Sequence, residues 1–94
     1  MIRIALAPVL DQRAITEHQD QLRQALNAGE NIEISCEAVE QAGLAGLQLL
    51  ASALRSGRER GVAVTLAGAS GALTATSRLA GMDNILFPAP GAAS

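Results

Sequence analysis

Apolar residues recur at two periods in this chain, and the two periods alternate three times. Ile2, Ile4 and Leu6 fall at every second position, with Arg3, Ala5 and Ala7 between them. That is the mark of a half-buried strand. Pro8 ends regular pairing, and Val9 and Leu10 lead to Asp11. Ile15, then His18 or Gln19, then Leu22, Ala25 and Leu26 follow at helical spacing. Asp11 or Thr16 is placed to cap this first helix, and Gly29 to stop it. Ile32, Ile34 and Cys36 alternate with Glu33 and Ser35 as a second strand, and Glu37 to Gln41 reads as a polar connection.

The pattern then repeats. The segment 42–47 opens a second helix whose inward stripe is Leu47, Leu50, Ala51 and Leu54. Arg55, Arg58 and Arg60 stand near its end, where cations complement the helix dipole, and Gly61 closes it. Val62, Val64 and Leu66 make a third strand, alternating with Ala63, Thr65 and Ala67. Ser70, in the turn 68–71, is placed to cap a third helix through Leu73, Thr76, Leu79 and Ala80, ended by Gly81. The run Ile85, Leu86, Phe87 is stopped by Pro88 and Pro90. The predicted order is β-α-β-α-β-α with a short apolar segment after it. Strands alternating with helices imply an α/β fold with a small mixed or parallel sheet. Residues 1–90 read as a single domain and 91–94 as a disordered tail.

Composition narrows the function classes. Of 94 residues, 19 are Ala and 26 are Val, Ile, Leu, Met or Phe, so the core depends on well-placed aliphatic side chains. A lone Cys excludes an internal disulfide, and one His with one Cys excludes a His/Cys zinc site. The seven basic residues, all Arg, give a net charge of −2 with the nine acidic ones. With one aromatic residue, this is no footprint for nucleic acid. No apolar stretch approaches the length of a membrane span, and the alternating start lacks a signal peptide's apolar run, so a cytoplasmic protein without direct membrane insertion is expected.

Candidate chemistry is sparse. The turn 68–71 leads into a helix start, where backbone N–H groups can bind phosphate, but it lacks a P-loop lysine and reads as a tight turn with a Ser cap. His18 has no nucleophile beside it and reads as a packing residue. Cys36 reads as a small hydrophobe on a central strand. Glu30, Glu33, Glu37 and Glu40 have the spacing to meet a divalent cation, yet read as a solvated face. No catalytic residue, metal site or cofactor is expected. Gly43, Leu44, Ala45 and Gly46 are the most informative segment. A large apolar side chain in a Gly/Ala turn at a helix start either marks a binding surface or tucks under the sheet.

The ordered set of these elements resembles a STAS domain, the module of bacterial anti-sigma-factor antagonists and of sulfate-transporter tails. The resemblance runs from the strand at Ile32 through Gly46-Leu47, Leu49, Leu50 and Ala51, and on to Val62–Leu66. It continues at 79–83 and at Leu86-Phe87-Pro88, near the family's closing helix and its end. The helix start from Ala45 to Leu50 also resembles STAS proteins of chemotaxis gene clusters and the STAS subunit of phospholipid-transport systems. The resemblance implies a non-catalytic interaction module that docks on a protein partner through Gly43, Leu44, Ala45, Gly46 and Gln48. That partner would be an anti-sigma-factor or kinase-like protein, a chemotaxis component or a transporter component. The family's acidic residue falls on Gly43, its next Ser on Leu44, and its phosphorylated Ser or Thr on Ala45. Ala has no hydroxyl, so a phosphate switch at this position cannot be inherited. The start is also short, offering one strand and a stub where most STAS domains have two strands before the first helix. An accessory transport subunit and a small-molecule or nucleotide sensor are the alternative functions. A sheet face carrying Ala and other small residues offers a route to a homodimer.

Overall fold

In a computed structural model, which describes residues 1–68 and 70–81, six elements follow in the expected order. They are β1 (Ile2–Ala5), α1 (Gln12–Ala28), β2 (Ile32–Ser35), α2 (Gly43–Arg60), β3 (Val64–Ala67) and α3 (Gly71–Leu79). The readings of Ala69, Met82, Asp83, the run 85–88, Pro90 and the tail 91–94 lie outside the described residues.

The three strands are parallel in the order β1-β2-β3. Their register explains the alternation seen in the sequence. Ile2, Ile32 and Val64 lie side by side, as do Ile4, Ile34 and Leu66. Successive side chains point to opposite faces, so these six share one face. On the other face Arg3 sits beside Glu33 and Thr65, and Ala5 beside Ser35 and Ala67. Helix α1 packs on β1, α2 packs on β3, and the two helices pack on each other. Right-handed crossovers that step in one direction put both helices on the same side, and that is the side bearing the Ile and Val stripes. Ile32, Ile34, Leu47, Leu50 and Leu73 are almost fully buried and form the centre of the core.

Helix ends follow local chemistry. The Asp11 carboxylate accepts from the Ala14 N–H at 2.9 Å, so Asp11 rather than Thr16 caps α1. Ser70 Oγ accepts from the Leu73 N–H at 3.0 Å and caps α3. Gly29 and Gly61 take the left-handed conformation after α1 and α2, as the sequence predicts.

Four local expectations shift. Strand β3 starts at Val64, because Val62 turns inward and donates its N–H to the Gly57 carbonyl at 2.8 Å. In α1 it is His18, not Gln19, that faces the core. In α3 the buried pair is Leu73 and Ser77, while Leu79 is 91% exposed. Ser77 is four residues on from Leu73 and rides over it, and its hydroxyl is satisfied by the Thr74 carbonyl. Val39, inside the segment read as polar, is buried. Among the described residues no helix is long and apolar enough to cross a membrane.

Candidate functional site

The start of α2 is held in place by the segment after β1. The Pro8 carbonyl accepts from the N–H groups of both Glu40 and Gln41, and Leu10 donates its N–H to the Gln41 carbonyl at 2.8 Å. Val9 and Gln41 form an isolated parallel bridge, the observed form of the strand stub. Buried Val39 and Ala42 anchor the same loop from below. His18 ties the other end. Its Nε2 accepts from the Ala7 N–H at 3.1 Å, and its Nδ1 lies 2.8 Å from Gln21 Oε1. An acceptor at Nε2 places the ring proton on Nδ1, so the imidazole is a neutral structural pin.

This brace presents four of the five expected site residues to solvent. Gly43, Leu44, Ala45 and Gln48 are exposed, with Leu44 at 60%. Of the two readings left open for Leu44, it stands on the surface and does not tuck under the sheet. Gly46 is different. It is buried, and a Cβ placed there would meet Leu10 Cδ1 at 3.0 Å. Its missing side chain serves internal packing of α2 on Leu10. Sequence reasoning missed that role, because Leu10 lies 36 positions earlier in the chain and no local signal marks the contact.

The local backbone is unusual. Gly43 has φ +62° with open space around it. An L-residue there would carry a left-handed strain. Ala42, at the cap position, offers no side-chain hydrogen bond to the helix. The first N–H groups of an α-helix have no partner within the helix, and among the described residues no side-chain cap meets them here, beside an exposed Leu.

The other candidates resolve into structural roles. Cys36 is buried, and desolvation pushes its thiol up to about 11 from an ordinary 9.0. Arg3 donates to Glu33 at 2.6 Å across the open sheet face. Glu37 lies against Gly68. Glu30 stands 4.0 Å from the N-terminal amine. Among the described residues, no three His, Cys, Asp or Glu side chains gather as a metal site.

A small parallel α/β module with two helices on one sheet face and an exposed helix start defines the class of protein. A family model described as "Mlab, STAS domain" matches residues 1–88. The chain belongs to the STAS domain family, whose members generally mediate protein–protein interactions. No curated protein matches the chain, and no solved structure does.

Proposed function

We propose that this STAS domain is a non-catalytic docking module, active in the cytoplasm in bacterial signalling or regulation, that binds a protein partner through the start of α2. Leu44 carries the proposal. A Leu left 60% exposed on a braced helix start has the character of an apolar anchor. Gly43 keeps the backbone beside it open to close approach, and Gln48, one turn further on, supplies a polar contact. Ala45 has no hydroxyl to receive a phosphoryl group, so binding at this surface is constitutive or regulated by other means. The partner is an anti-sigma-factor or kinase-like protein or a chemotaxis component.

The helix start from Ala45 to Leu50 supports a second reading, an accessory subunit of a phospholipid or anion transport complex. Both readings use the same surface, and the neighbouring genes separate them. The test is affinity purification from the native host with the natural chain and with Leu44→Arg. A protein captured by the first and lost with the second, at unchanged circular dichroism and melting, supports docking at Leu44. Retention of that protein by Leu44→Arg places the surface elsewhere.

A further inference from the structure

A groove of about 870 Å³ runs between α1 and α2 on the side away from the sheet. Its accessible apolar lining is Leu26, Ala45 and Ala51, with Ile15, Leu22 and Leu49 buried beneath them. Its charged residues are Arg23, Arg55 and Arg60, with no Asp or Glu in the lining. That is an unusual concentration in a chain of net charge −2 with only seven arginines.

The three charges are weakly compensated. Arg23 meets Asp20 at 3.4 Å, an ion pair exposed on both sides that water screens heavily. Arg60 donates to the neutral Asn27 amide at 2.8 Å, which orients the guanidinium and leaves its charge in place. Arg55 makes no ion pair among the described residues. One wall of the groove extends along α2 from Ala45 to Arg60, a rise of about 22 Å. That length suits roughly four turns of helix and is far more than a single small anion needs.

We infer that this groove receives an acidic amphipathic helix of the partner protein, its apolar stripe on Leu26, Ala45 and Ala51 and its carboxylates on Arg23, Arg55 and Arg60. The inference rests on the docking reading above and names the chemistry of the partner, because Ala45 and Gln48 belong to both the exposed helix start and the groove. Leu44 does not line the groove, so the two parts of the surface can be tested separately.

The probe is a synthetic helical peptide of about 14 residues with Leu at core spacing and Glu on both flanks. Its control carries Lys in place of each Glu. Inorganic phosphate, and phosphatidylcholine vesicles with and without phosphatidylglycerol, represent other anion sources. Binding to the full chain is read by amide chemical shifts and by peptide anisotropy. The Glu peptide is expected to bind, to shift Gln19, Ser52 and Arg55, and to outcompete the Lys peptide. Arg23→Glu with Arg55→Glu should weaken the Glu peptide by at least about tenfold and improve the Lys peptide, with melting unchanged. Leu44→Arg should leave the peptide in place. Equal affinity for the two peptides, shifts outside the groove, no binding, or occupation by phosphate or anionic vesicles in preference to the Glu peptide would overturn the inference. If the peptide fails while Leu44→Arg still loses its captured protein, the groove is wrong and the docking surface stands. If the peptide binds while Leu44→Arg keeps every captured protein, the reverse holds.

Discussion

Helices α1 and α3 start differently from α2. Asp11 and Ser70 cap the first two with their side chains. Helix α2 starts on Ala42, without a side-chain cap, and on Gly43 in a left-handed conformation. A cap is worth about 1 kcal/mol, so α2 gives up local stability at its start. It recovers that stability from below, where Leu47, Leu49 and Leu50 are buried and Gly46 sits on Leu10. The difference separates two helix ends that carry a side-chain cap from one that has none and exposes Leu44. At α1 and α3 the first turn is held by a local side-chain cap, although both helices also bury core residues. At α2 the first turn is held by tertiary packing, and Leu44 is left on the surface.

This contrast can be strained hardest at the far end of α2. A Cβ at Gly57 would meet Val64 Cγ2 at 2.5 Å and the Val62 carbonyl at 2.8 Å. Gly57→Ala should therefore cost about 2 kcal/mol in urea unfolding. Gly43→Ala meets no neighbouring atom, and its left-handed φ alone should cost about 1 kcal/mol. A smaller loss there would mean that the start of α2 relaxes. Asp11→Ala should lose somewhat less, about 0.7 kcal/mol, because only one hydrogen bond at an exposed end is removed. Leu44→Arg should change stability by less than about 0.5 kcal/mol while removing partner binding. A large loss of stability would show that Leu44 belongs to the frame.

Cys36 marks the inert interior and gives the smallest effect at neutral pH. Its thiol stays protonated and should resist a thiol-specific reagent until the chain unfolds. Its folded pKa is raised, so the unfolded chain releases the proton first. The Cys36 contribution to stability is thus whole below pH 9 and falls as pH rises from 9.0 to about 11. Chemical unfolding across that range, compared with Cys36→Ala, isolates it.

Much of the fold was legible because its signals are local. Period-two runs marked all three strands, and Gly29, Gly61, Asp11 and Ser70 marked helix ends through backbone and capping chemistry. The site was legible as a segment and not as a geometry. Val39 looked like part of a polar connection, yet the hydrogen bonds from Glu40 and Gln41 to Pro8 fold it inward. Gly46 looked like part of the exposed site, yet Leu10, 36 positions earlier in the chain, lies against it. Leu79 looked like a core residue, yet α3 turns Leu73 and Ser77 inward and leaves Leu79 outside. Each of these depends on a contact that no nearby residue encodes.

The sequence by itself determined the element order, the two faces of each strand and the absence of a hydroxyl at position 45, because these follow from side-chain period and residue chemistry. Only the tertiary structure decided that Leu44 faces water, that Gly46 does not, and that Arg23, Arg55 and Arg60 share one groove. Those outcomes depend on how far each helix is rotated about its axis, which is set where the helices meet the sheet and each other.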